Sequence, residues 1–476
     1  MSRHGLALRS LSRDTEGAVW RRRWGRACLP PRSLVCADRL VHNALYTGDL
    51  LRVQCLFTRG SIGDLLIPQA EESVQPAPTR ETVLLLTTDP QHPQLHPNVV
   101  FDTSDVEQWR NYRYNLRALR IWSLCYKQEF TTPLQICSSR GYDQCMRHLL
   151  SCGAEPDFSP GGKTALHEAC ENSQAECARL LLRAGANPNA VSEDGYCPLH
   201  LCTSPESLRC AQYLLEFGGH INSRTEEKDD TALHIASRFA LEEHVDLYLS
   251  YGASINRLNE CGQTALHCVC GQPHSHADAE RYYRVCRKLV ESGASVVALD
   301  EEQQSALHLA CYTSNYRIVD LLLARGVDVN RMDYGGNAPL HKALQAVSYK
   351  LDHEPERVVQ SLLNYGSIRI WPGAFPKVLK YCSKSPATIE VLLNVYDHLK
   401  VTDEWMKAIP LEVLREHAEF YSLLGSVLRT PRSLQHLSRC VIRAHCRGPC
   451  ASAVPALPLP SAIKNFLLLE IQGFLM

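Results

Sequence analysis

Histidines stand at positions 167, 200, 234, 267, 308 and 341, and each directly follows a leucine. Imidazole is the side chain best suited to proton transfer or metal ligation near neutral pH, so a regular series of six invites a catalytic or metal reading. Such chemistry needs its groups to converge on one point. Residues repeated at a fixed interval are instead strung out along a stack of repeats, where each plays the same structural part. The expected part is to bridge neighbouring repeats through backbone hydrogen bonds. A second set, Cys440, His445, Cys446 and Cys450, has metal-ligand types. It lacks a C-x-x-C pair with a distant matching pair, so it reads as thiols on or beside a packed helix. The chain holds 21 cysteines, an odd number, and Cys137, Cys170, Cys202 and Cys311 fall at apolar helical positions. No N-terminal apolar signal core is seen, and free thiols in a reducing compartment are expected. Nothing marks one thiol as a nucleophile, which would need a basic partner in a cleft. The phosphate-cradling and nucleophile-elbow motifs are absent. The expectation is therefore no catalytic residue, no metal and no cofactor.

The elements that carry these residues form a repeat. Leucines at 134, 166, 199, 233, 266, 307 and 340 lie in "TTPLQIC", "TALHEAC", "CPLHLC", "TALHIAS", "TALHCVC", "SALHLAC" and "APLHKAL". Their spacings are 32, 33, 34, 33, 41 and 33. A glycine follows each leucine, at 153, 185, 218, 252, 293, 326 and 366. The leucine-to-glycine gap is 19 in five repeats but 27 in the fifth and 26 in the seventh, so those two carry insertions of seven or eight residues. Thr164, Thr231, Thr264 and Ser305 suit a helix N-cap, and Pro133, Pro198 and Pro339 suit the first helical position, where a missing N–H costs nothing. Cys197 and Ala338 stand at cap positions without a good acceptor, which weakens those repeats by about 1 kcal/mol each. Glycine then ends the second helix in a left-handed conformation. The period and the T-x-L-H motif resemble the ankyrin repeat. This implies an all-α fold: an ankyrin-repeat solenoid of helix–turn–helix units and hairpin loops, followed by a small helical C-terminal module.

The formal net charge of -1 gives no global field for nucleic acid or anionic lipid, and no apolar run approaches the roughly 20 residues that span a bilayer. The expected layout starts with a mobile basic tail over 1–38, whose arginine richness also fits a transit segment. A degenerate helical pair follows over 39–57. An insert over 58–130 has a Pro-rich loop and then helix. Seven repeats cover 131–372 (131–160, 163–192, 196–225, 230–259, 263–300, 304–333 and 337–372). A degenerate helical cap (373–420) and the C-terminal module (421–476) complete it. "EEKDD" at Glu226 to Asp230 reads as a solvated hairpin tip.

In the last segment, Thr430 can cap a helix with Pro431 at its first position. Leu434, Leu437, Val441 and Ile442 then form one apolar stripe, with Gln435, His436, Arg439 and Arg443 on other faces. Prolines 455, 458 and 460 forbid a helix through "ASAVPALPLP" and favour an extended course that presents Leu457 and Leu459. "SAIKNFLLLE" closes as a helix. This order resembles a SOCS box. Ser433, Leu434, Leu437, Arg439, Ile442 and Arg443 match its BC box, and Leu457, Pro458, Leu459 and Pro460 its cullin box. Ser438 departs from the cysteine usual there. Behind an ankyrin array, the two motifs resemble the ankyrin-repeat and SOCS-box proteins.

That resemblance implies a non-catalytic adaptor. Leu434, Leu437, Ser438, Val441 and Ile442 would enter a groove of Elongin C, which comes with Elongin B. Leu457, Pro458, Leu459 and Pro460 would contact Cullin-5 and its RING protein. The ankyrin face would hold a protein substrate for ubiquitination and proteasomal degradation. The competing reading is an ankyrin scaffold that recruits no ligase, its C-terminal helix serving only to cap the array. No nucleic-acid or membrane partner is expected, and the cytoplasm, with the nucleus as a second compartment, is the expected location.

Overall fold

The computed structural model describes residues 34–35, 39–57, 65–68, 99–100, 130–399, 404–427, 430–446 and 449–471. The basic tail and most of the insert, including its expected helix, lie outside the described residues. The chain divides into two compact units, Met1–Cys202 with Arg209–Gly219, and Thr203–Leu208 with His220–Met476.

In the first unit the degenerate pair is present as helices Arg39–Thr47 and Leu50–Leu56, with Asp49 capping the second through Arg52 N–H. It packs on the first repeat, helices Pro133–Arg140 and Asp143–Ser151: the Tyr142 hydroxyl donates to Tyr46 O at 3.0 Å and His148 Nε2 to Phe57 O at 2.7 Å. The second repeat pairs Ala165–Glu171 with Ala175–Arg183. The third opens as a 3-10 turn, Pro198–Leu201, before helix Leu208–Glu216. Pro205 explains the shortened element, since a proline cannot continue a helix that began at Pro198. Four short strands add a small sheet that helical periodicity did not announce. Its order is Val99–Val100, Leu34–Val35, Leu65–Pro68, Phe130–Thr131, parallel except for the last pair.

The second unit continues the repeats with Ala232–Arg238 and Glu242–Ser250, Ala265–Gly271 and Ala279–Glu291, Ala306–Thr313 and Tyr316–Ala324, and Pro339–Ala346 and Pro355–Asn364. The two insertions are visible as a longer helix, Ala279–Glu291, and as 3-10 turns Val347–Tyr349 and Leu351–His353. They meet across the sixth repeat, where Lys350 Nζ donates to His274 O at 3.0 Å. Helices Phe375–Cys382 and Pro386–Leu393 form the degenerate pair, followed by Glu404–Lys407, Leu411–Glu416 and Ala418–Val427. Phe375 stacks on Trp405 at 4.6 Å, and the Tyr421 hydroxyl donates to Ser383 O at 2.6 Å. The boundary expected between 420 and 421 falls inside helix Ala418–Val427.

The second to seventh repeats share a backbone N–H bond to histidine Nδ1, and His167, His234 and His308 carry a second bond on to the next hairpin. The Thr164 N–H donates to His167 Nδ1 at 3.1 Å, which leaves the proton on Nε2, and Nε2 donates to Tyr196 O in the next hairpin at 2.9 Å. His234 likewise accepts from Thr231 N–H and donates to Arg257 O and Gln263 O, and His308 to Asn337 O. At the two poor caps the imidazole still works, since the N–H groups of Cys197 and Ala338 donate to His200 and His341 Nδ1. Burial lowers the pKa of His167, His234, His267 and His308, so these imidazoles are held neutral. Gly185 ends its helix at φ +93°, and the other six repeat glycines share that sign. A further ladder is made by asparagines four residues past these glycines: Asn189 donates to Gly218 O, Asn222 to Gly252 O, Asn256 to Gly293 O and Asn330 to Gly366 O. In the fifth repeat that position is Val297, an apolar side chain 68% exposed.

Candidate partner-docking site

The C-terminal helix runs Leu434–His445. Its cap is Ser433, whose hydroxyl accepts from His436 N–H at 3.2 Å. Thr430, expected in that role, instead donates to Ser426 O in the preceding segment. Both residues carry a capping hydroxyl. The docking of His436 onto the array, described next, coincides with the later start.

The helix buries the face that its composition marks as polar. His436 is fully buried, and Arg439 and Cys440 nearly so. His436 Nε2 donates to Tyr396 O at 2.7 Å while its Nδ1 accepts from Arg439 Nη2 at 2.9 Å. The Arg439 guanidinium lies 4.3 Å from the Phe466 ring centroid, and burial pulls its pKa down to about 10, still a cation at neutral pH. Arg443 donates to Asn364 Oδ1 at 2.7 Å, Leu467 O at 2.6 Å and Leu363 O at 3.0 Å. These bonds satisfy groups that would otherwise be costly to bury, and they fix the rotation of the helix about its axis.

That rotation turns the apolar stripe outward. Leu434 is 83% exposed, Val441 57% and Ile442 40%, and Leu437 is half-buried. Ser438 is exposed and donates back to Leu434 O at 2.8 Å, so its hydroxyl is satisfied within its own helix. An ordinary surface helix hides its apolar side and wets its polar one. Here the order is reversed, which leaves a ridge suited to a groove on another chain.

The second motif is placed differently from its expectation. Cys450–Ala453 forms one helical turn ahead of Pro455, and a turn follows in which Leu457 N–H donates to Val454 O at 3.1 Å. Proline forbids helix at and just before itself but permits the turn upstream, which explains the difference from a wholly extended course. Leu459 packs on the small cluster Cys450, Val454 and Leu467 and is not presented outward. Pro458 and Pro460 are exposed and Leu457 is half-buried. Helix Ser461–Leu467 starts directly after Pro460.

The metal-ligand types near this site diverge. Cys440 points inward to Asn394 O, whereas His445 is exposed and bonds Val441 O. The described cysteines, Cys137, Cys170, Cys202 and Cys311 among them, are free thiols. Sequence reasoning missed the inward set of His436, Arg439 and Cys440. The available signal was their own i, i+3, i+4 spacing, which is that of a second helical face.

Residues 430–468 match the model of the SOCS box, and 115–192, 184–259, 233–333 and 274–370 match that of ankyrin repeats (3 copies). The chain is 47% identical over 386 residues to "Ankyrin repeat and SOCS box protein 10" of Homo sapiens, covering 80% of this chain and 83% of that one. It is 36% identical over 449 residues to human "Ankyrin repeat and SOCS box protein 16", covering 94% and 89%. Against human "Ankyrin repeat and SOCS box protein 18" the identity is 45% over 382 residues, covering 79% and 82%. The chain belongs to the family of ankyrin-repeat and SOCS-box proteins.

Proposed function

We propose that the chain is the substrate-recognition subunit of an Elongin B/C–Cullin-5–RING ubiquitin ligase. The observation that carries this is the outward apolar ridge of Leu434, Val441 and Ile442 on a helix whose polar face is buried. In this reading Leu434, Leu437, Ser438, Val441 and Ile442 fill the Elongin C groove. Leu457 with the exposed Pro458 and Pro460 meets Cullin-5, while Leu459 holds that segment to the box. The ankyrin face binds the target protein. The chain supplies no nucleophile; it acts by proximity, raising the effective concentration of target lysines near the charged conjugating enzyme. The reaction would take place in the cytoplasm and nucleus.

The competing reading, a scaffold whose last helix only caps the array, draws on the docking of His436 against Tyr396 O. Co-expression of the full chain with Elongin B and C, then with Cullin-5, followed by size exclusion, separates the two. The adaptor co-elutes with both. A chain that elutes alone and well folded is a scaffold.

A further inference from the structure

In the second unit many arginines of the repeats are met by carboxylates: Arg224 by Asp229, Arg238 by Asp230, Arg284 by Glu242, Arg287 by Glu291 and Arg357 by Glu354. The pattern breaks where the seventh repeat meets the C-terminal module. A cavity of about 280 Å³ opens there, lined by Leu363, Tyr365, Gly366, Ser367, Arg369 and Val395 on one side and by Arg443, Pro449 and Cys450 on the other. Among the described residues its lining has two guanidinium groups and no carboxylate.

Arg443 gives three of its five N–H groups to neutral acceptors, Asn364 Oδ1, Leu467 O and Leu363 O, which leave its charge uncompensated. Arg369 is exposed, and its guanidinium lies 5.9 Å from the Tyr396 ring centroid, a contact that does not consume N–H donors. Behind them the positive charge deepens. Arg439 is 3% exposed with its Nε unpartnered, and both terminal nitrogens of Arg432 are buried without a partner. Glu390 acts on Arg439 and Asp397 on His436, and neither lines the cavity. Among the described residues, four cations against two carboxylates in a half-enclosed place is an electrostatic arrangement that an anion would relieve.

We propose that this cavity is a binding site for a phosphate group held between Arg369 and Arg443. Two planar guanidinium forks suit tetrahedral oxyanions, and two positive charges match the -1.5 to -2 of a phosphate monoester near neutral pH. The volume holds one phosphate and several waters, each of which takes about 30 Å³. Bound there, the anion ties the seventh repeat to the C-terminal module through one ligand. This does not depend on the ligase reading.

The test uses the full chain, co-expressed with Elongin B and C where that keeps it in solution. Inorganic phosphate and a short phosphoserine peptide are titrated calorimetrically, with sodium chloride at matched ionic strength as the reference. Wild type should bind at least one of the two. Arg369→Ala, at an exposed position, should keep its melting temperature in chloride and lose about tenfold in that affinity. Arg325→Ala, an exposed arginine outside the cavity, should bind like wild type. Tighter binding of the peptide assigns the phosphate to a modified partner, and equal or tighter binding of the free ion assigns it to solution. The inference is overturned by a response to phosphate no larger than to chloride, or by Arg369→Ala binding undiminished.

Discussion

Leu434→Asp separates a ridge made for another chain from one made for this fold. Complete burial of a leucine side chain is worth about 1.5–3 kcal/mol. With 83% of Leu434 exposed, only about 0.3–0.5 kcal/mol of that is realised within the isolated chain. Losing it lowers the melting temperature by less than about 1 °C for a protein of this size. The remaining 1.2–2.5 kcal/mol, roughly, is available only to a partner, and its loss weakens binding about eight- to seventyfold before the cost of forcing a carboxylate into an apolar groove is added. The assay is a thermal melt of the variant beside an Elongin B/C titration by calorimetry. The reasoning fails if the melt drops by many degrees, or if Elongin affinity is unchanged. Either result would mean that the side chain belongs to its own fold.

Three further outcomes test the scaffold. Replacing His234 by alanine removes one acceptor and the donor shared by Arg257 O and Gln263 O, and should cost about 2–4 kcal/mol in urea unfolding, with hydrogen exchange rising first around the 257–263 hairpin. Stability should also fall with acid. Burial lowers the pKa of His244 to about 4, against about 6.5 unfolded, so its contribution is intact above pH 6.5 and lost as the pH drops from there towards 4. The slope is up to about 1.4 kcal/mol per pH unit, and His244→Gln should flatten the urea midpoint across that window by about one proton. Val297→Asn should supply the missing rung of the asparagine ladder by reaching Gly326 O. A melting temperature raised by about 1 °C is expected, and one that falls would show that the fifth repeat lacks the ladder's geometry.

The order of side chains along the chain was enough to reveal the repeats. Period, caps, glycine stops and the two insertions are local properties of a unit that contacts only its neighbours, so reading one repeat reads them all. The apolar stripe of Leu434, Leu437, Val441 and Ile442 was legible for the same reason, as was the SOCS-box order of the two C-terminal motifs. Which way that helix faces was not. A helix with two usable faces, one apolar and one of His436, Arg439 and Cys440, can dock on either, and only the acceptors waiting at Tyr396 O, Asn364 and Leu363 O select the polar one. The choice of Ser433 over Thr430 as cap and the meeting of Arg369 with Arg443 likewise depend on residues tens of positions apart, and the inward turn of Leu459 on Cys450, Val454 and Leu467 beyond its own turn of chain. Propensity acts over a turn of chain, whereas burial and charge are settled by whatever the fold brings within a few ångströms.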